Sequence, residues 1–395
     1  MPLSIALNVK FVISLAYFAC VSSIITNTCH SGTGYEWSRR IHDVQCSNDP
    51  LHNIFLTTTT MSSGPGESSK VDVPSFPTLF DPTTCSRKGL CPVTKIRHQQ
   101  EPLESHSLYF EQHGTGPRKV LFVMGLNSTS FAWSAQVNYF GRHPEYTVLA
   151  FDNRGVGNSG TPRGPYSTSG MAEDVVVLLD YVGWTAKHSI HVVGVSLGGM
   201  ISQELAYKIP ERIISLTLAV TTAGGYLWQN FPPWKGFVSL QRLQFIADPE
   251  KKIPILLDMV FPVPWLEETS ETDPEGRKNR EIMLIDYRKR IEVTKPQNPL
   301  GAISQMIAGL THHVKPARLN TISKSIPKVL IVTGDVDHLV HPSKSVYLKK
   351  HMPEAEFEQW EMTGHAIHLQ RREKFNTMLE RVFKEGEEKA EAKTK

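Results

Sequence analysis

The sequence predicts an α/β architecture, a mostly parallel sheet covered by helices on both faces, and three observations carry that expectation. First, the runs at 119–124 (KVLFVM), 146–152, 189–193, 213–220 and 327–333 are apolar almost throughout, as strands buried on both faces must be. Second, they alternate with stretches of helical period at 131–140, 168–181 and 197–209, the order that builds parallel strands with crossover helices. Third, Gly194-Val195-Ser196-Leu197-Gly198 places a G-x-S-x-G turn between an apolar run and a helical one.

Composition bounds the rest. The chain has 395 residues and is 40% hydrophobic, enough for one large domain with insertions or for two. Its 42 basic and 39 acidic residues give a net charge of +3 with no basic stripe, which excludes nucleic acid as a partner. The cysteines Cys20, Cys29, Cys46, Cys85 and Cys91 all precede residue 105, so neither a disulfide framework nor a zinc site lies within the part that reads as α/β. Cys85 and Cys91 are expected as free thiols, with a bridge as the alternative in an oxidising compartment. No metal and no cofactor is expected.

Residues 1–25 contain an apolar segment at 11–25, preceded by Lys10 and carrying the small residues Ser22 and Ser23, which reads as a signal or an anchor. It is shorter than the roughly 18 apolar residues of a membrane span, yet it is the one route to membrane association that the sequence offers. Residues 26–104 lack periodicity and are expected to be mostly irregular. Met61 is an alternative start that would omit the apolar segment, and 386–395 reads as a charged tail.

From Ser107 the elements follow in order. Leu108, Tyr109 and Phe110 read as a strand, and Gly114 to Pro117 as a turn before the run at 119–124. In the helix at 168–181, Met171, Val175, Leu178 and Leu179 fall on one face, with Ser169 as the expected cap. The loop with Arg154, Gly155 and Gly157 lacks both a following Lys-Ser/Thr pair and the G-x-G-x-x-G register, so it reads as a structural turn rather than a phosphate cradle. At the turn around Ser196, glycines are needed where strand and helix crowd together, and the serine hydroxyl is pushed out above the sheet. The Leu197 N–H, at the start of the next helix, then points where negative charge can be stabilised.

The succession VLFVMGLNST, FDNRGVGNSG, HVVGVSLGGM, VLIVTGDVDHLVHP and MTGHAIHLQ resembles the α/β-hydrolase superfamily, and within it the single-domain esterase, enol-lactonase and cofactor-free haloperoxidase-like group, over residues 105–385. That resemblance implies Ser196 as nucleophile, His365 as general base and acid, and Asp337 as the orienting acid, Asp335 being its alternative in the same loop. It implies the backbone N–H groups of Leu126 and Leu197 as oxyanion donors. Met124 stands where many relatives have histidine, which leaves open how that loop is braced. The resemblance also makes 223–310 a helical cap after the sixth strand, between the core segments 105–222 and 311–385, with Trp228, Trp234 and Trp265 as candidates for an apolar substrate pocket. The implied substrate is a small ester or lactone, weighed against two rivals: a prolyl-type aminopeptidase that would use Glu267, Glu268 and Glu271 for an amine, and a ligand-binding protein on a hydrolase scaffold. Oligomeric state is not encoded in any motif. The sequon Asn127-Ser128-Thr129 falls in the loop of the second oxyanion donor, so a glycan there would obstruct the site, and a cytosol-facing domain is favoured over a secreted one.

Overall fold

A computed structural model describes residues 76–94, 105–246 and 248–394. The apolar segment 11–25, Met61 and the cysteines Cys20, Cys29 and Cys46 lie outside the described residues. Eight strands, β1 (Cys85–Val93), β2 (His106–His113), β3 (Arg118–Val123), β4 (Tyr146–Phe151), β5 (Ile190–Val195), β6 (Ile213–Ala219), β7 (Lys328–Gly334) and β8 (Glu356–Trp360), form one sheet in the order β1-β2-β4-β3-β5-β6-β7-β8. β1 and β2 pair antiparallel, as do β2 and β4, and every pairing from β4 to β8 is parallel.

The apolar runs become central strands because both of their faces are covered. Alternate residues of β3 divide accordingly: Leu121 and Val123 join one core, Val120 and Phe122 the other. The first core packs under the helices Thr168–Tyr181, Leu197–Lys208 and Pro316–Ser325, which supply Val175, Ile201 and Ile322. The second packs under Ser134–Arg142 and Arg372–Thr394, with Phe140, Phe375 and Phe383 fully buried. The helix at 168–181 is capped by Ser167, not Ser169: the Ser167 hydroxyl accepts the Gly170 N–H at 3.1 Å, which a residue already inside the helix cannot do.

Two other expectations are corrected. Part of the lead-in is a nine-residue edge strand, β1, whose backbone groups find partners on β2 and whose Cys91 and Val93 enter the core. Cys85 and Cys91 are therefore six residues apart on one strand, about 20 Å at the usual strand rise. They are free thiols, too far apart to bridge. The expected tail is instead the end of the helix Arg372–Thr394, where Glu387 accepts from Arg118 Nε at 2.9 Å and Ala390 is buried. Among the described residues no helix is long and apolar enough to cross a membrane.

Between β6 and β7 lies a helical insertion comprising Trp234–Phe245, Pro249–Val260, Val263–Glu267, Asn279–Val293 and Pro299–Thr311. It shares a small core with the segment after β8, built from Ile253, Leu257, Phe261, Trp265, Leu266 and Met283 together with Ala366 and Leu369.

Candidate active site

The parallel strands bring four loops to one end of the sheet, following β3, β5, β7 and β8. The crevice outside the carboxyl ends of parallel strands is the usual ligand site of such sheets.

The loop after β5 is the tightest. Ser196 has φ 56° and ψ −121°, a conformation that costs on the order of 1–3 kcal/mol in a non-glycine residue. Its surroundings hold it there: its N–H donates to the Ala219 carbonyl at 3.0 Å, and its carbonyl accepts the Thr221 hydroxyl at 2.7 Å. A Cβ on Gly194 would sit 2.4 Å from Ser202 Oγ, and one on Gly198 only 2.1 Å from the Val123 carbonyl oxygen, so both glycines are required by close approach. Ser196 is half-buried, with Leu197 buried behind it.

The loop after β3 passes directly alongside. A Cβ on Gly125 would lie 3.1 Å from Ser196 Cβ and 3.7 Å from its Oγ. Among the described residues the N–H groups of Leu126 and Leu197 have no protein acceptor, which leaves both donors available beside the hydroxyl. The structure also shows what braces this loop in place of an imidazole. Met124 is buried in the core, and its carbonyl accepts from Asn153 Nδ2 at 2.9 Å. The buried Asp152 carboxylate accepts the Ser130 N–H and hydroxyl through Oδ1, each at 2.8 Å, and the Asn158 N–H through Oδ2 at 2.9 Å. Burial pushes this carboxyl up to about 6 despite those hydrogen bonds. Gly157 has a positive φ of 60°, and its missing Cβ would fall 2.2 Å from Asp152 Oδ2.

The insertion contributes the remaining brace. Gln305, fully buried on Pro299–Thr311, accepts the Asn127 N–H at 2.9 Å through Oε1 and donates through Nε2 to the Arg154 carbonyl at 2.7 Å. Gln297 donates to both Asn127 Oδ1 and the Gly155 carbonyl at 3.0 Å. Arg154 itself is spent on Asp174, with two hydrogen bonds of 2.5 and 2.6 Å, and stacks on Tyr166, which makes its turn structural.

On the other side of Ser196, the loops after β7 and β8 meet. Asp337, 3% exposed, accepts the N–H groups of Leu339 and Val340 at 2.8 and 2.9 Å through Oδ1, while Oδ2 lies 2.8 Å from His365 Nδ1. A carboxylate that accepts from its own loop must accept from the ring as well, so Nδ1 carries a proton and Nε2 holds the lone pair. Asp335 does different work: its N–H donates to the Trp360 carbonyl and its Oδ1 accepts the Thr363 N–H, each at 3.1 Å, which ties the two loops together. Gln370 fixes the histidine loop from below, accepting the Gly364 N–H at 2.8 Å and donating to the Met362 carbonyl at 2.7 Å. His368 is buried against Trp133, away from the acid loop. The sequence thus places Ser196, Leu126 and Leu197 together and joins His365 to Asp337. Among the described residues no hydrogen bond links the Ser196 hydroxyl to His365.

The insertion reaches each loop. The Val260 carbonyl accepts the Ala366 N–H at 3.0 Å, a Cβ on Gly236 would strike the His338 carbonyl oxygen, and Gly309 faces the Leu197 side chain. Its tryptophans are placed otherwise than a common apolar roof requires. Trp265 is taken up in the insertion's core against Phe261, ring centres 5.1 Å apart. Trp228 and Trp234 are 60% and 77% exposed, stacked on Tyr226 and Phe237. The residues that sequence reading missed, Asp152, Gln305 and Gln370, are polar groups whose partners come from distant segments. Only the strand-end position of Asp152 hinted at a role.

A parallel sheet with a strained serine turn between β5 and its following helix, and a histidine-carboxylate pair beyond β7 and β8, defines a hydrolase-type α/β fold. Residues 119–371 match the family model described as alpha/beta hydrolase fold, and the chain belongs to that family as a hydrolase. Among its relatives is RutD of Azorhizobium caulinodans, a protein provisionally named a carbamate hydrolase, 27% identical over 274 residues that cover 69% of this chain and 93% of that one. A shorter match, 34% identical over 118 residues, covers 30% of this chain and 42% of 3-oxoadipate enol-lactonase 2 of Acinetobacter baylyi. In fold, the chain is similar to the enol-lactonase of Burkholderia xenovorans, with a TM-score of 0.56 and 18% identity over 71% of this chain and 97% of that one.

Proposed function

We propose that the protein is a serine hydrolase that cleaves a small ester or lactone through an acyl-enzyme intermediate. The observation that carries this reading is the strained Ser196 turn beside two unengaged N–H groups, with a carboxylate-oriented imidazole on the neighbouring loops. A serine hydroxyl is a weak nucleophile until a base takes its proton. His365 Nε2 accepts that proton as Ser196 Oγ attacks the acyl carbon, and Asp337 stabilises the imidazolium that forms. The negative charge that develops on the carbonyl oxygen is met by the N–H groups of Leu126 and Leu197. When the intermediate collapses, His365 returns the proton to the departing alkoxide. Water then repeats the sequence on the acyl-enzyme and releases the acid and free Ser196.

The names of the relatives support acyl-oxygen chemistry: an enol-lactonase, and, over 89 residues at 42% identity, a poly(3-hydroxyalkanoate) depolymerase of Ectopseudomonas oleovorans. The helical insertion acts as a cap over the four loops in this reading. An amine-recognising aminopeptidase is disfavoured, because Glu267 is already held by Arg280 Nε at 2.6 Å and Lys278 Nζ at 3.0 Å, and Glu268 and Glu271 face solvent. The test is labelling by a fluorophosphonate probe, followed by a panel of acyl esters, lactones, carbamates and aminoacyl amides. Stoichiometric labelling at Ser196 with turnover of esters or lactones is the expected result. Preferential turnover of aminoacyl amides, or an unlabelled Ser196, overturns the proposal.

A further inference from the structure

A second cluster of chemically capable groups lies at the opposite end of the sheet. Glu111 and His113 are two apart on β2, so they share a face, and Cys85 on β1 is the register partner of His113. A bulge between Cys85 and Arg87 sets the direction of the cysteine side chain. His113 pairs with Val148 near the beginning of β4, whereas the loops around Ser196 and His365 leave the far ends of the parallel strands. One ligand atom from each of Cys85, Glu111 and His113 falls within 4.8 Å of the other two.

The hydrogen bonds around the cluster determine what it lacks. The Thr84 hydroxyl donates to the Asp81 carbonyl at 3.0 Å, so toward His113 Nδ1, 2.9 Å away, it presents a lone pair. The imidazole proton is therefore on Nδ1, and Nε2 is an acceptor. The Tyr109 hydroxyl donates to Glu111 Oε1 at 2.6 Å, leaving Oε2. Nε2 and Oε2 then face each other at 3.4 Å, both on fully buried residues and both without a hydrogen-bond partner. Two buried acceptors with nothing between them are costly, and the costs are removed if a proton or a metal cation shares their lone pairs; the Cys85 sulfur, within 4.8 Å of both, is what favours a metal. Their separation matches the edge of a tetrahedron with ligands about 2.0–2.1 Å from its centre, roughly 3.3 Å.

We propose that Cys85, Glu111 and His113 bind a divalent transition metal of borderline softness, zinc being the natural occupant, at a site remote from Ser196. Thiolate, imidazole and carboxylate together suit that class of ion, and three protein ligands leave a fourth position for water. On binding, the Cys85 thiol releases its proton to solvent and its sulfur lone pair forms the bond to the metal. Thiolate and carboxylate then cancel the charge of the dication, so the filled site is neutral and its burial is inexpensive. Thr84 holds the imidazole in the required tautomer, as partners of metal-bound histidines generally do. No motif spacing announces the site, because the cysteine and the histidine meet only through strand pairing.

The experiment uses the full chain, stripped with a chelator and titrated with zinc, and separately with cobalt as a spectroscopic probe. Expected are a thiolate-to-cobalt charge-transfer band, tetrahedral ligand-field bands, and a raised unfolding temperature with zinc. In Cys85→Ser the charge-transfer band disappears, stoichiometry falls by one equivalent, and affinity drops on the order of 100-fold or more, while Cys91→Ser behaves as wild type. Glu111→Gln, which keeps size and the hydrogen bond to Tyr109, is the second variant, with circular dichroism confirming its fold. Equal zinc stoichiometry in wild type and folded Cys85→Ser overturns the proposal, as does a cobalt spectrum without a thiolate band in the wild type.

Discussion

The strand ends around Ser196 and the helical insertion above them solve the same problem, positioning side chains, by opposite means. In the sheet every residue of β5, β6 and β7 is buried, and geometry is enforced by backbone contact: Gly194 and Gly198 leave no room for a side chain, and Gly125 only a tight one. In the insertion, Asn279–Val293 buries only Met283, and Tyr226, Trp228, Trp234 and Phe245 stand exposed. Contact there combines a few close backbone approaches, at Gly301, Gly236 and Val260, with side-chain hydrogen bonds such as those of Gln305 and Gln297. Close-packed backbone tolerates almost no substitution, whereas a few polar clamps leave the rest of a helical layer free to vary. Chemistry is therefore expected to reside in the first region and selectivity in the second.

The largest effect that would sharpen this contrast is at the centre of the rigid region. Ser196→Ala should reduce turnover on the order of a million-fold and abolish probe labelling without changing the unfolding temperature by more than a few degrees. Residual activity near wild type would break the assignment of chemistry to this turn. Asp337→Asn should cost about 10⁴-fold in kcat through loss of the imidazole's orientation, and Asp335→Asn far less, because Asp335 touches the loops rather than His365. Steady-state kinetics of both variants decide it, and the reverse ranking would make Asp335 the orienting acid.

Gln305→Ala probes the seam between the regions. It removes the acceptor of the Asn127 N–H beside Leu126, so kcat should fall roughly tenfold with little change in KM, and the buried groups left unpaired should cost about 1–3 kcal/mol of stability. An unchanged kcat would mean that the insertion does not brace the oxyanion loop.

Stability should show the regional difference too. Gly157→Ala forces a Cβ against Asp152 at positive φ and should cost about 2 kcal/mol or more in denaturant unfolding. Trp234→Ala, on an exposed stack, should fall within about 0.5 kcal/mol of wild type in the same assay.

The pH dependence is the subtlest probe, and its sign follows from two buried histidines. Burial pushes His312 and His368 down from 6.5 to about 3, so in the native state both are neutral where the unfolded chain would protonate them. Stability from these groups is full above pH 6.5 and is lost as pH falls toward 3. Asp152, pushed up from 3.8 to about 6, acts oppositely: its contribution is lost as pH rises between those values. His191, also lowered by burial, and Glu356, held down to about 2 by Arg381, act in the same direction as the two histidines, so unfolding temperature should drop between pH 6.5 and 4, and His312→Gln should flatten the decline. His312 bonds Thr168 at the junction of insertion and core, so the profile reports on that junction.

The same contrast explains what could be read from sequence alone. Buried strands announce themselves as continuous apolar runs, and Ser196, Asp337 and His365 sit at strand ends, where local pattern and the family resemblance single them out as candidates. β1 was hidden because an edge strand such as Cys85–Val93, with Arg87, Lys88 and Pro92, carries no sustained apolar run. The tryptophans misled because indoles near prolines look alike whether they enter a core, as Trp265 does, or stack at the surface, as Trp228 does. Gln305 and Gln370 were invisible because a glutamine's role depends on which distant backbone it meets.

The contact of Gly155 with Gly301 has a consequence for traffic to and from the site. A Cβ on Gly301 would lie 2.5 Å from the Gly155 carbonyl oxygen, and one on Gly155 would lie 3.0 Å from Gly301 Cα, so Pro299–Thr311 is pressed backbone to backbone onto the turn after β4. Such a joint acts as an anchorage, so passage of a substrate is constrained on this side of the insertion. The same close approach recurs at Gly236 of Trp234–Phe245, where a Cβ would lie 2.0 Å from the His338 carbonyl oxygen, so the insertion is pinned at two points and the amides around both should exchange with solvent deuterium more slowly than those of Asn279–Val293. Gly301→Ala should slow or disable the enzyme by dislodging the anchor, although residue 301 takes no part in the chemistry.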